Sequence, residues 1–102
     1  MDKKIKDAVT KELKNKTLLI TGGAGSIGSV LVKKILEFPV KTVRVLDIDE
    51  HALFRLNRKV NDKRLRLLLG SITDKERVEM ATSNVDIILH LAAIKNIEIS
   101  EF

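Results

Sequence analysis

Two patterns of apolar residues alternate along the chain. Short runs dominated by apolar and β-branched residues lie at 18–20, 42–46, 65–69 and 85–91. Such runs are typical of strands covered by protein on both faces. Segments with apolar residues at helical spacing lie at 2–15, after the glycines at 22–28 as far as Pro39, at 50–60 and from 75 onward. The pattern therefore predicts strands and helices in strict alternation after a first helix.

This alternation predicts the fold class. Continuous apolar strands separated by amphipathic helices require a parallel sheet, and right-handed crossovers place helices on both of its faces. We expect a three-layer α/β/α domain over residues 16–102, with strand order 3-2-1-4 and a ligand at the switch point between strands 1 and 4. Residues 1–15 form a separate amphipathic helix in this prediction.

The helical spacing also predicts which residues face the core. Ile27, Leu31, Ile35 and the neighbouring Val30 mark the helix that follows the glycines, which is predicted to end near Phe38 and Pro39. The next helix carries Leu53, Leu56 and Val60 on one face. The last is predicted to be capped by Asp74, with Val78 and Ala81 facing inward.

A glycine-rich turn carries the strongest functional signal. The sequence 21–28 reads T-G-G-A-G-S-I-G, directly after a buried strand and at the start of a helix. This context is that of a Rossmann-type dinucleotide site, where free amides at the helix start receive the phosphates. Gly22 reverses the chain, Gly25 admits the pyrophosphate and Gly28 lets the helix pack closely. Ser26 and Ile27 complete the predicted phosphate loop.

Asp47 provides the second signal. It ends the second strand, nineteen positions after Gly28 (47 − 28). An acidic residue there accepts hydrogen bonds from the adenosine ribose hydroxyls. Because a carboxylate repels a 2′-phosphate and Ile48 is not an arginine, the sequence favours NAD over NADP. Asp49 is interpreted as a helix cap.

Two further loops complete the candidate site. Ser71 and Ile72 follow the third strand, where they are expected to border the adenine. Ala92 and Ala93 follow the fourth strand and leave room beside the cofactor. His90, on that strand, is interpreted as a satisfied core residue rather than a catalyst.

Composition and charge exclude several classes of function. Hydrophobic residues make up 44% of the 102 residues, and there is no cysteine, so thiolate metal sites and cysteine nucleophiles are excluded. No apolar run is long enough to span a membrane, and no apolar signal core begins the chain, which favours the cytoplasm. The net charge is +5, with six lysines in the first sixteen residues. We interpret these lysines as a solvated helix face, with nucleic-acid or anionic-membrane binding as weaker alternatives.

These motifs together resemble the extended short-chain dehydrogenase/reductase superfamily, and within it the CapD-like polysaccharide-biosynthesis proteins. The resemblance runs from about Lys16 to Phe102 and includes T-G-G-A-G-S-I-G, the V-L-D-x-D-E at 45–50 and A-A-I-K-N-I at 92–97. It implies a nucleotide-sugar 4,6-dehydratase or epimerase, typically acting on UDP-N-acetylglucosamine. The chain departs from the family pattern at Ser71, Asn96 and Glu98, where relatives have Asp, His and Pro.

The resemblance also implies where the chemistry is located. The superfamily's catalytic Tyr-x-x-x-Lys is expected beyond Phe102, and the 102 residues include no tyrosine. The chain is therefore predicted to bind cofactor, to contain no catalytic residue and to be inactive alone. An alternative is a non-catalytic module that forms a homo-oligomer through the edge of its fourth strand.

Overall fold

The computed structural model describes residues 2–91. These residues form four helices and four strands in the predicted alternation. In chain order they are α1 (Lys3–Leu13), β1 (Thr17–Thr21), α2 (Ser26–Ile35), β2 (Thr42–Asp47), α3 (Glu50–Val60), β3 (Leu65–Leu69), α4 (Lys75–Thr82) and β4 (Ile87–His90).

The sheet has the predicted topology. Its strands are parallel and lie in the order β3-β2-β1-β4. In the register of the ladder, Thr21 at the end of β1 pairs with Leu46 of β2 and with His90 of β4. The carboxyl ends of these three strands therefore meet at one edge of the sheet, beside the glycine-rich loop that follows β1.

Both faces of the sheet are covered by helix. Leu18 and Ile20 of β1 belong to the larger core, on the side of α3 and most of α2. Leu19 points to the other side, where it packs with Leu46 and Ala81 of α4. All five residues of β1 are buried, as its continuous apolar sequence predicts.

The apolar residues that mark α2 in the sequence do not all face the core. Ile27 is 74% exposed and Val30 is 66% exposed, whereas Gly28, Val32 and Ile35 are buried. The helix is oriented by its glycine: Gly28 faces the preceding loop, which turns the two neighbouring apolar side chains outward. The helix also ends at Ile35, earlier than predicted, and Leu36 is its C-cap residue.

The interpretation of β4 is also wrong in part. The strand spans four residues rather than seven, and its side chains alternate between half-buried and exposed. Ile88 is 41% exposed, and His90 is exposed rather than part of the core. Among the described strands β4 pairs only with β1, so an apolar sequence did not ensure burial. The His90 ring lies with Nδ1 3.3 Å from the hydroxyl of Thr21.

Helix caps follow the sequence predictions. The Asp49 side chain accepts from the amide of Ala52 at the start of α3, and Asp74 accepts from the amide of Arg77 at the start of α4. α1 has no buried residue and contacts the core through Leu13, as expected for a helix on the outside of the domain. Within residues 2–91, no helix combines the length and the apolar character needed to cross a bilayer.

An arginine–aspartate clamp joins the segment that follows α2 to the residues that precede β3. The Arg64 guanidinium donates to the carbonyl oxygens of Leu36 and Phe38, at 2.5 and 2.9 Å, and pairs with the carboxylate of Asp62 at 2.8 Å. The Arg64 backbone amide donates to the same carboxylate. The side-chain and backbone hydrogen bonds from Arg64 hold the pKa of Asp62 below its ordinary value of 3.8, and the pKa of Arg64 is raised in turn.

This clamp predicts a pH-dependent contribution to stability. We expect Asp62→Asn to lower the free energy of unfolding by about 1 kcal/mol at pH 7, since the pair is only partly shielded from solvent. The folded-state pKa is depressed, so the stabilisation is present above pH 3.8 and is lost as the pH falls through the folded-state pKa. Urea denaturation of wild type and variant between pH 7 and pH 3 measures the difference.

A matched control is Glu37→Gln, because Glu37 pairs with Lys34 at 3.7 Å on an exposed surface. It should leave stability unchanged at every pH. A difference between Asp62→Asn and wild type that stays constant as the pH falls below 3.8 would contradict the role assigned to the ion pair.

Candidate functional site

The glycine-rich loop leaves β1 by a sharp reversal at Gly22. Its φ is 71°, a left-handed conformation that side chains rarely adopt. The Gly22 amide donates to the carbonyl of Leu46 at 2.7 Å, which ties the loop to the end of β2. The predicted role of Gly22 in turning the chain is therefore confirmed.

Gly28 brings α2 against this loop. A Cβ atom at Gly28 would lie 2.5 to 2.6 Å from the backbone of Gly23, so only a glycine fits. The sequence predicts close packing at this position, but against the sheet; in the structure the contact is with the loop. The consequence is that the first turn of α2 is held directly beside the carboxyl ends of β1 and β2.

The start of α2 offers free backbone donors to an anion. The amides of Ser26, Ile27 and Gly28 precede the first helical hydrogen bond, which runs from Ser29 to the Gly25 carbonyl. Gly25 is the N-cap and provides no side-chain hydrogen bond to them. Among residues 2–91, and apart from its two chain neighbours, a Cβ at Gly25 would meet only the Gly22 carbonyl oxygen, at 3.8 Å, so these residues leave the space beside the amides open. This geometry suits a phosphate group.

Asp47 is fixed next to the same loop. The residue is 9% exposed, and its Oδ2 accepts from the amide of Ala24 at 3.1 Å. Its Oδ1 accepts from the amide of Asp49 at 3.0 Å. A carboxylate has about four lone-pair positions, so these two bonds orient the group and leave positions for further donors. The amide of Ala24 is a contact that the spacing of the motif did not predict.

A cleft of about 320 Å³ opens between α2 and α3 at this point. Its walls combine the glycine-rich loop, the start of α2 and one side of α3; they are Ala24, Gly25, Ser26, Ser29, Asp49, Ala52, Arg55, Leu56 and Lys59. The space next to the loop and to the amides that hold Asp47 is therefore open. The basic residues of α3 are a feature of this wall that sequence analysis did not identify.

The loop after β3 also reaches this edge of the sheet. The Gly70 amide donates to the carbonyl of Asp47 at 3.0 Å. The Ser71 hydroxyl lies 2.8 Å from that of Thr73 and accepts from its amide, so Ser71 is engaged locally. Ile72 is 40% exposed, which leaves an apolar surface available. Ala92 and Ala93 lie outside the described residues.

Known proteins are similar to this chain in sequence. An uncharacterized membrane protein of Methanocaldococcus jannaschii is 46% identical over 89 residues, covering 87% of this chain and 27% of that protein. A UDP-N-acetylglucosamine 4,6-dehydratase (inverting) of Campylobacter jejuni is 34% identical over 88 residues, covering 85% of this chain and 26% of the enzyme. The chain thus spans about a quarter of the length of these relatives.

Solved structures agree with the fold. Pen from Bacillus thuringiensis superposes with a TM-score of 0.70 at 37% identity, over 74% of this chain and 24% of that one. The enzyme WbmF from Bordetella bronchiseptica, in complex with NAD⁺, gives a TM-score of 0.64 at 30% identity, over 78% of this chain and 24% of that one. The family model described as "polysaccharide biosynthesis protein" matches residues 18–102, and the chain therefore belongs to that family.

Proposed function

We propose that this chain binds NAD as the dinucleotide-binding part of a nucleotide-sugar dehydratase or epimerase in polysaccharide biosynthesis. The hydrogen bond between the Ala24 amide and the Asp47 carboxylate carries the proposal, because it joins the phosphate loop to the ribose carboxylate. The 30% identical enzyme from Bordetella bronchiseptica, solved with NAD⁺ and with NAD⁺ and UDP, supports it.

Each group of residues has a separate role in this proposal. The amides of Ser26, Ile27 and Gly28 donate to the diphosphate, and Gly25 leaves room for it. The remaining lone pairs of Asp47 accept from the ribose hydroxyls.

The other residues of the proposed site face the rest of the dinucleotide. The exposed side chain of Ile72 packs against the adenine. Ser71 borders the ring in this proposal, and its contribution is weak because its hydroxyl is already bonded to that of Thr73. Ala92 and Ala93 remain candidates for the nicotinamide side.

In this proposal the described residues bind and orient the dinucleotide. When bound, the nicotinamide supplies a hydride acceptor for oxidation of a sugar carbon. That oxidation also needs a base for the hydroxyl proton. The family resemblance assigns the base to a tyrosine, and residues 1–102 contain none. We therefore expect the 102-residue chain to bind the dinucleotide without turning over a nucleotide sugar.

Calorimetric titration tests the proposal directly. We expect both NAD and ADP to bind, and adenosine to bind at least tenfold more weakly, because a diphosphate gains charge-assisted hydrogen bonds from the helix amides. ADP has no nicotinamide, so it tests the adenosine and diphosphate contacts alone. It is therefore the better probe if binding of the nicotinamide needs residues outside this chain. Absence of heat with both NAD and ADP, from protein that circular dichroism shows to be folded, would refute the function.

A further inference from the structure

The outer side of β3 is an open edge of the sheet within residues 2–91. Two hydrogen bonds fix which of its backbone groups point outward. The Val43 amide donates to the Arg64 carbonyl, and the Gly70 amide donates to the Asp47 carbonyl. Because backbone groups alternate between the two sides of a strand, the even-numbered residues 64–70 face β2. The odd-numbered residues of β3 therefore turn their amides and carbonyls away from it.

The first part of this open edge is already occupied. The Arg66 guanidinium donates to the Leu65 carbonyl at 3.1 Å. The Leu65 amide donates to the Asp62 carbonyl at 3.0 Å. The hydrogen bonds within residues 2–91 leave the amides and carbonyls of Leu67 and Leu69 without a partner. These two residues are therefore the part of the edge that is ready to pair.

Apolar side chains flank the free backbone groups. Leu69 is 46% exposed and Leu67 is half-buried. On α3, which packs against β3, Phe54 is 62% exposed. Ala52 and Leu56 of the same helix line the cleft toward α2. Since residues two apart lie on opposite sides of a helix, Phe54 lies on the side away from α2, toward the open edge of β3.

We infer that the edge of β3 is a homodimer surface, on which β3 of a second copy of this chain pairs antiparallel about a two-fold axis at Leu68. In this register Leu67 lies opposite the partner's Leu69, and Leu69 lies opposite the partner's Leu67. Both are pairs of the kind that exchange two hydrogen bonds. Every free amide and carbonyl on the two edges is then satisfied.

A second copy suits this edge because the contact is self-complementary, as a two-fold interface requires. Arg66 lies opposite the partner's Gly70, so no like charges stand directly across from each other. Leu67 and Leu69 also lack the charges and prolines by which proteins keep an open edge from pairing.

Sedimentation equilibrium of the 102-residue chain tests the dimer, with lysine substituted at either edge of the described sheet. We expect wild type to reach twice the mass of one chain, and Leu69→Lys to raise the Kd of the dimer at least tenfold. Ile88→Lys is the matched control, because Ile88 is 41% exposed on β4 and belongs to the opposite edge. It should change the Kd less than twofold. Circular dichroism confirms that each variant is folded.

Amide hydrogen exchange of wild type tests the pairing without a substitution. We expect exchange at Leu67 and Leu69 to slow at least tenfold as the chain is concentrated from monomer to dimer. The Leu68 amide faces β2, so its exchange should be slow in both states and serves as the internal reference.

Three results would overturn the inference: a wild-type chain that stays monomeric up to about 1 mM, a dimer that Ile88→Lys weakens as much as Leu69→Lys does, or exchange at Leu67 and Leu69 that does not depend on concentration. The inference does not depend on the proposed function. Failure of that function would show as absent heat with NAD and ADP, and it would leave the mass of the dimer unchanged.

Discussion

Gly28→Ala is expected to lower the free energy of unfolding by about 3 kcal/mol, although alanine is the better helix former. At an ordinary helix position the substitution would stabilise by roughly 1 kcal/mol. Here the added methyl would lie 2.5 to 2.6 Å from the Cα, C and O atoms of Gly23. Overpacking of this kind costs about 1–3 kcal/mol and more where the obstacle cannot rotate away. The neighbour is backbone, so we expect the steric cost to exceed the gain in propensity.

The measurement is urea and thermal denaturation of both proteins. A loss of about 3 kcal/mol in a domain of this size corresponds to a fall in Tm of more than 10 °C. It is also a large share of the roughly 5–15 kcal/mol by which domains are stable. Gly25→Ala is the control, because its Cβ would meet one atom of the described residues beyond its chain neighbours, at 3.8 Å. An unchanged or raised stability for Gly28→Ala would show that α2 does not rest on the loop at this point.

The fold was predictable because its signals are local and repeated. Strands of continuous apolar residues, helices with one apolar face and a cap at Asp49 or Asp74 each agree with a single parallel sheet. The order of the strands then followed from the doubly wound arrangement, and the handedness of crossovers placed helices on both faces. Gly22 and Asp47 could likewise be singled out from the sequence. One is a glycine directly after the first strand, and the other is a carboxylate at the end of the second.

The remaining errors concern how elements face one another. Ile27 and Val30 have helical spacing, but periodicity cannot give the rotation of a helix about its axis, which is set by the contact of Gly28 with the loop. His90 lies in an apolar run, but its exposure depends on which strand and helix cover it. The sequence did not reveal that Arg55 lines the cleft, because the cleft forms where α3 approaches α2. No local sequence pattern gives the distance between two helices.

Gly25→Val is expected to abolish nucleotide binding, with affinity for ADP reduced at least a hundredfold, while the chain stays folded. The backbone at Gly25 has φ −70° and ψ 179°, which a valine adopts without strain. Within the part of the chain that the structure describes, the new Cβ has one neighbour within 4 Å besides the adjoining residues, the Gly22 carbonyl oxygen at 3.8 Å. The loss of a favourable N-cap residue costs roughly 1 kcal/mol, and reduced freedom of the unfolded chain offsets part of it.

The same side chain has a very different effect on a bound ligand. Its methyl groups would occupy the open space beside the amides of Ser26 and Ile27, where the diphosphate is proposed to lie. A phosphate kept about 1–2 Å farther away loses its hydrogen bonds to these amides, and each charge-assisted bond contributes roughly 1.5–3 kcal/mol. Two such bonds account for at least the expected hundredfold loss, since 1.4 kcal/mol corresponds to a factor of ten.

The measurement pairs calorimetric titration with ADP and urea denaturation of the same samples. Together with Gly28→Ala it separates the two glycines: one substitution should remove binding with stability nearly intact, whereas the other should remove stability first. If Gly25→Val bound ADP as wild type does, the start of α2 would not be where the phosphates bind.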